Sequence, residues 1–289
     1  MHRQARSGRG ARTCEVCGGG LVPLRLGPAD VLDRCRECGH LHRDLGSCPA
    51  GHRDLAYGGD PGLDRARLAL THRALTSGTA PRSVFEVGYG SGALLRRFVD
   101  RGAAVGGVDP GQLGVEVDPM VRKVGRLWNG SVESLPEGWF EADLVVAVHV
   151  LEHVEDPVST LRRAASALAP GGRLVVITPA GDSWGLRAHG RSWWMLEDPT
   201  HVRFFTAASL RLAAEAAGLR PMRVDRLVVD SLATDAASLA RRAGAGGPGG
   251  ALAHRAVLGA AVASAPVVLG VRALAPRTRS TMRLVAEWH

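Results

Sequence analysis

The segment Ser83-Val-Phe-Glu-Val-Gly-Tyr-Gly-Ser-Gly92 constrains the fold more than any other. An apolar, β-type run ends at Val87 and gives way to glycines at alternate positions, Gly88, Gly90 and Gly92. The helical pattern Ala93-Leu-Leu-Arg-Arg-Phe-Val99 begins at once. This is a strand, a tight turn and a helix. Glycine belongs where the backbone takes positive φ or where a ligand must approach the main chain. The helix behind the turn aims unpaired N–H groups at that ligand. The segment therefore predicts a nucleotide-like ligand lying over the loop.

A dinucleotide fold would carry G-x-G-x-x-G, with the helix opening inside it. Here the spacing is G-x-G-x-G, and Glu86 precedes it. A second apolar run, Ala103-Ala-Val-Gly-Gly-Val108, ends in Asp109, an acid suited to the two hydroxyls of a ribose. Strand-like runs follow at Asp143–Val148 and Arg173–Pro179, with a helical stretch from Ser159 to Leu168 between them and Ala169-Pro-Gly-Gly172 as its stop. Thr206 to Gly218 reads as a helix, and Met222–Val229 and Met282–Glu287 alternate as strands. Alternating strands and helices predict an α/β protein with a mostly parallel, doubly wound sheet.

These features resemble motif I and the ribose acid of the class I S-adenosylmethionine (SAM)-dependent methyltransferases. The stretches His149-Val-Leu-Glu-His153, Pro170-Gly-Gly172 and His201-Val-Arg-Phe-Phe-Thr206 sharpen the likeness to a broad methyltransferase-23-like subgroup that often carries a zinc ribbon in front. The resemblance implies a Rossmann-like, seven-stranded sheet with the last strand antiparallel. It implies SAM as cofactor, over Glu86, Gly88, Tyr89, Gly90, Gly92 and Asp109, with His149 at the methyl end. A G-D-x-x-x-L-P stretch meets the adenine in this family. Here Asn129-Gly-Ser-Val-Glu-Ser-Leu-Pro136 has Ser131 in place of the acid, which leaves the backbone at Val132 as the contact that carries over. Tyr89 stands where the family is usually small and is expected to press on the cofactor or shape the acceptor pocket.

The cysteines carry a second signal. Cys14-x-x-Cys17 and Cys35-x-x-Cys38 are separated by 17 residues, a spacing that closes a tetrahedral site of four cysteines. Leu21–Leu24 and Asp30–Arg34 read as strands of a zinc ribbon, with Zn2+ in a structural role. Cys48, His40, His42 and His52 follow, and a turn-rich linker explains them better than a second site. Close cysteine pairs point to metal in a reducing compartment rather than to disulfides.

The expected organisation is a basic, disordered tail at 1–12, the ribbon at 13–50, and a linker with a leading helix at 51–80. The SAM-binding domain follows at 81–230, then an inserted helical hairpin at 231–278 and a returning strand at 279–289. The leading helix is expected from about Asp64 to Leu75. The stretch after Asp109 is a poor helix, with Val115–Val117 and Val121–Val124 alternating almost like strands. No signal peptide is visible, and Pro266 interrupts the apolar run Ala256–Leu274, so no segment reaches the roughly 18 to 20 residues of a spanning helix. The expected location is cytoplasmic. Packing on the domain is the default for 256–274, with a homodimer contact or peripheral membrane contact as alternatives. Net charge is +8, which permits RNA or an anionic membrane as a partner without demanding either.

The fourth strand of the domain ends at His149, so Glu152 and His153 fall near the methyl group. His153 is the candidate general base, because imidazole titrates near neutral pH, and Glu152 would orient it. Two neighbours in the wider fold group, one acting on small RNA ends and one on quinone precursors, hold a divalent metal with an E-x-x-E-H-type segment. His149, Glu152, His153 and His201 could do the same, though packing of His149 and anchoring of the lid loop by His201 explain them with less. Aromatic residues are only 4 % of the chain, yet Trp184, Trp193, Trp194, Phe204 and Phe205 fall between 182 and 205. Trp193 and Trp194, with His201, are the candidate acceptor wall. The reading that covers most residues is methyl transfer to a small molecule such as a sugar, natural product or lipid-linked intermediate. RNA methylation is disfavoured because the ribbon lacks interleaved aromatics for base stacking. A non-catalytic binding protein with a degenerate pocket is the third reading.

Overall fold

A computed structural model describes residues 13–26, 30–45, 48, 61–76, 80–111, 114–228, 233–244 and 251–288. The basic tail 1–12, His52 and most of the glycine spacer 244–250 lie outside the described residues. Three short strands open the chain: β1 (Leu21–Arg25), β2 (Asp30–Cys35) and β3 (Leu41–His42). Helix α1 (Pro61–Thr76) precedes the glycine-loop strand β4 (Ser83–Val87), which runs into α2 (Ala93–Val99). Then come β5 (Ala104–Asp109), α3 (Pro119–Val124), β6 (Arg126–Asn129), β7 (Ala142–Val148), α4 (Pro157–Ala165) and β8 (Leu168–Pro179). The rest is α5 (Trp184–His189), β9 (Arg203–Phe204), α6 (Ala207–Ala216), β10 (Leu219–Leu227), α7 (Thr234–Arg242), α8 (Arg255–Leu274) and β11 (Thr281–Trp288).

The main sheet has the order β10-β11-β8-β7-β4-β5-β6. β4, β5, β6, β7 and β8 are paired in parallel, and β11 runs antiparallel between β8 and β10. Near-continuous apolar runs suit such strands because helices cover both faces. Val84, Leu144, Val146, Val175 and Ile177 face one side, against Leu75, Leu95, Phe98 and Val121 from the first three helices. Phe85, Val87, Val145, Leu174 and Val176 face the other, against Leu161 of α4 and Leu210 and Ala214 of α6. The period of two along each strand is the pleat itself.

Several local expectations need correction. Pro61 and Gly62 do not break structure; they open α1, as proline can at a first helical turn. Val121–Val124 is helical because the Asp118 carboxylate accepts from the N–H groups of Met120 and Val121 and starts a turn. Val115–Val117 forms neither helix nor strand. Helix α4 stops at Ala165, and Pro170-Gly-Gly172 lies within the irregular start of β8. Pro266 sits inside α8 without ending it, so the helix is long and apolar enough to cross a membrane by length and composition. That contradicts the expectation that no segment reaches such a length.

The cysteine-bearing strands do not form a free-standing appendage. Their sheet has the order β1-β2-β3-β9, and β9 belongs to the loop after β8. Leu41 pairs with Phe204 and His42 with Arg203. Thr206 adds a second tie. Its hydroxyl accepts from Ser209 N–H, as half of a capping box on α6, and donates to the carbonyl of Cys38 at 2.9 Å. Thr206→Ala should therefore cost about 1–2 kcal/mol, more than an ordinary cap, with Thr206→Ser close to wild type. Urea denaturation of the three proteins checks this; equal midpoints for the alanine and serine variants would remove the tie.

Candidate active site

Each glycine of the loop has positive φ: 75° at Gly88, 50° at Gly90 and 73° at Gly92. A side chain at Gly88 would meet Val150 Cγ2 at 2.7 Å. The glycine loop and the segment leading to His153 are thus in direct contact. Asp109 lies at the tip of β5 and is buried. Its carboxylate accepts from Gly90 N–H at 2.9 Å and from Gly111 N–H at 2.7 Å, which fixes the loop beside the acid. Glu86 is buried as well, and its Oε2 has no hydrogen-bond partner among the described residues. Burial, with the charge of Asp109 beside it, pushes the Glu86 carboxyl well above the usual range. A buried acid that keeps one oxygen without a partner under a glycine loop fits a ligand that brings its own donors or positive charge. Tyr89 does not stand free over the loop. It leans on Gly107 of β5, where a Cβ would meet its ring at 2.9 Å. Ser131 is exposed and opens a single 3₁₀ turn, with Val132 buried behind it.

At the end of β7, His149 has φ 56°, the one non-glycine residue with positive φ among those described. Such a conformation costs energy and is a pointer to function. It turns the imidazole onto Glu152, with Nδ1 and Oε1 2.8 Å apart. Glu152 is fully buried, and Thr178 Oγ1 donates to its other oxygen at 3.0 Å. Burial works to raise the Glu152 pKa. The hydrogen bond from His149 and the nearby His153 and His201 outweigh it and hold the group at about 2. The imidazoles of His153 and His201 pack edge to face at 4.6 Å. His153 Nδ1 lies 3.0 Å from Thr200 Oγ1, and His201 Nδ1 lies 2.8 Å from the Met195 carbonyl. A carbonyl partner makes His201 Nδ1 the donor, which leaves Nε2 with its lone pair. Glu152, His153 and His201 each offer one ligand atom within 4.8 Å of the others.

The fold brings together Glu86, Gly88, Gly90, Gly92 and Asp109 as one group, and His149, Glu152, His153 and His201 as a second that touches it through Val150. Trp193 does not join them. It is fully buried with Leu32, Leu41, Met195 and Phe204 in a third core beneath the small sheet, so it supports the loop rather than lining an acceptor wall. Trp194 is half-buried; its indole donates to Glu197, and its backbone N–H donates to Ser238 of α7. The sequence pattern does not single out Thr178, Asp198 or Thr200. Thr178 carries a signal all the same: it is a polar side chain near the carboxyl end of an otherwise apolar strand segment.

The four ribbon cysteines converge. Cys14 Sγ is 3.7 Å from Cys38 Sγ, Cys17 Sγ is 3.4 Å from Cys35 Sγ, and all four lie within 4.8 Å of one another. Zinc bound tetrahedrally at about 2.3 Å puts sulfurs roughly 3.8 Å apart, so the set fits such an ion. Burial pushes the Cys14 thiol up to about 12 and Cys38 higher still. A coordinated cation reverses that preference, because it binds the thiolate. Behind the cysteines Glu15 faces His40 at 3.3 Å, His42 at 2.9 Å and Arg203 at 2.5 Å. His40 and His42 are therefore buried parts of the ribbon and its contact with β9, and the linker reading fails for them. Burial opposes the Glu15 charge, but hydrogen bonds from the two histidines hold its pKa far below the usual value.

A family profile described as a methyltransferase domain matches residues 62–224. The ubiquinone biosynthesis O-methyltransferase of Idiomarina loihiensis is 30% identical over 168 residues, covering 54% of this chain and 69% of that protein. The enzyme of the same name from Aeromonas salmonicida is 29% identical over 160 residues, covering 50% and 65%. Among solved structures, coclaurine N-methyltransferase superposes with a TM-score of 0.51 at 12% identity, covering 84% of this chain and 75% of that one. The cyclase SpnF gives 0.50 at 20% identity, covering 83% and 86%. The last two share the fold while differing in named chemistry, so they speak to architecture alone. The profile match, together with the glycine loop and sheet order, shows that the chain belongs to the class I SAM-dependent methyltransferase family.

Proposed function

We propose that this chain transfers a methyl group from SAM to a hydroxyl of a small-molecule acceptor. The observation that carries the reading is the buried Glu152–His149–His153–His201 group lying against the glycine loop. SAM supplies an electrophilic methyl group on a sulfonium. Gly88, Gly90 and Gly92 would let it approach the main chain, Asp109 would receive the ribose hydroxyls, and Val132 with Ser131 would edge the adenine. Glu86, unpartnered at Oε2, would face the cationic end. His153 would take the acceptor proton through Nε2, since Nδ1 is occupied at Thr200. Glu152 stays ionised and holds His149 in place, which lowers the cost of positive charge on the imidazoles in a buried site. The names of the relatives support oxygen as the acceptor atom.

Two metal readings belong here. A structural Zn2+ at Cys14, Cys17, Cys35 and Cys38 is supported by the sulfur spacing. A divalent cation at Glu152, His153 and His201 is supported by their close ligand atoms, and it would polarise the acceptor hydroxyl. Against the second, both Glu152 oxygens already have partners. Metal analysis of the purified protein separates the two: one equivalent of zinc, lost in Cys35→Ser with a large drop in stability, is the expected result. A second equivalent that Glu152→Gln removes would assign the histidine site to a metal.

The activity test uses labelled SAM with fractionated cell extract. Label is expected in a small, alkali-stable, extractable product; label in RNA would overturn the acceptor class. His153→Gln should lower turnover by about a hundredfold or more while SAM affinity by calorimetry stays within a few-fold. Gly90→Arg should abolish SAM binding with the circular dichroism spectrum unchanged. Undiminished binding would mean that the cofactor lies elsewhere.

A further inference from the structure

Helix α8 is an oddity in a folded domain. It is 20 residues long, yet only 11% of its most apolar 18-residue window is buried. Val267 is 71% exposed and Leu274 88%, with Val262, Leu269 and Val271 also open. Trp184 of α5 is 54% exposed and lies across from it. Between them is a mostly apolar recess of about 240 Å³ lined by Trp184, Ala188, Val267 and Val271, with the paired Asp235 and Arg272 at its wall. A contiguous apolar surface of this kind marks an interaction site.

Its geometry limits what can cover it. The segment before α8 is tied down by Ala251 N–H, which donates to Glu197. Near the other end Arg272 is buried, donates to Asp235 of α7 at 2.8 Å and to the Thr278 carbonyl, and Arg279 donates back to the Arg272 carbonyl. Seven residues after Leu274 the chain is already in β11. Both ends therefore belong to one folded body, and the helix cannot cross a bilayer while they stay there. It can lie in the plane of one.

Charge chooses the occupant. From Ala236 to Ala286 the sequence has no Asp or Glu and seven arginines, of which Arg241, Arg272 and Arg283 are paired with Glu197, Asp235 and Asp225. Arg242, Arg255 and Arg277 are exposed around the helix. A two-fold contact between copies would set this acid-free, arginine-rich segment against itself. An anionic lipid surface complements it, and an exposed tryptophan beside an apolar helix is an interfacial anchor. We propose that α8 and Trp184 form a docking surface for an anionic lipid bilayer, with the arginines at its rim. Since β11 starts at Thr281 opposite Pro179, the surface rises from the end of the sheet where β8 finishes. Docking would bring the methyl-transfer site proposed above to the membrane, but the docking itself does not depend on that reading.

Flotation with vesicles tests it, using the full chain and mixtures of phosphatidylglycerol with phosphatidylcholine against pure phosphatidylcholine. The chain is expected to float with the anionic vesicles and only weakly with the neutral ones. Val267→Asp with Leu274→Asp should cut binding about tenfold or more, and Arg255→Gln with Arg277→Gln should lower it and its salt dependence. Both pairs lie on exposed positions, and unchanged thermal midpoints verify their folding. Undiminished flotation of the aspartate pair would overturn the proposal. So would a chain that ignores vesicles, whether it is a dimer that the aspartate pair splits in light scattering or a stable monomer.

Discussion

A carboxylate sealed from water holds the centre of this protein together. Moving one such ion out of water costs several kcal/mol unless partners are built around it. Glu152 is fully buried, and the chain surrounds it from three directions. His149 bends into a left-handed conformation to reach one oxygen, Thr178 reaches the other from β8, and His153 and His201 lie close by. Its backbone is engaged too, since the Glu152 carbonyl accepts from Val202 N–H at 2.7 Å. The acid therefore fixes the ends of two parallel strands and the loop that follows the second.

That loop passes the constraint on to the ribbon. The Val202 carbonyl accepts from Arg43 N–H, and Arg203–Phe204 completes the ribbon sheet. The Arg43 guanidinium donates to the carbonyls of Leu196 and Asp198, and Glu15 gathers His40, His42 and Arg203 behind the cysteines. Trp193 and Phe204 fill the space beneath. The cysteine module thus acts as a brace for the segment that carries His201. Its influence on the site runs through strand pairing and packing, since the cysteines and the histidine group form separate clusters.

The insertion divides into unlike halves. Helix α7 is tied into the body through Ser238, Arg241 and the contact of Asp235 with His189, while α8 rests on it and leaves most of its own surface bare. The buried Arg272 guanidinium is a costly way to hold two helices through Asp235, and its worth is geometric: it fixes the angle at which the apolar face is shown.

Local pattern alone determined the glycine loop, most of the succession of strands and helices, and the cysteine module, because each rests on short-range rules; the short strands β3, β6 and β9 escaped it. Alternation specifies a strand, positive φ demands glycine, and ligand spacing specifies a knuckle. The histidine-rich segment was legible as a cluster in sequence for the same reason. What depended on contacts between distant residues was not legible. Trp193 read as an acceptor wall, yet it is core, because its burial depends on where Leu32, Leu41 and Phe204 arrive. The packing of Tyr89 against Gly107, a glycine of the next strand, was likewise set by where that strand arrives. Pro266 read as a break, but the preceding turns of α8 carry the helix through it. The partners of Glu152 come from residues 149, 178 and 201, and only the folded sheet places them within a hydrogen bond or a Coulomb contact of one acid. A buried charge is satisfied in three dimensions, and no linear spacing specifies that.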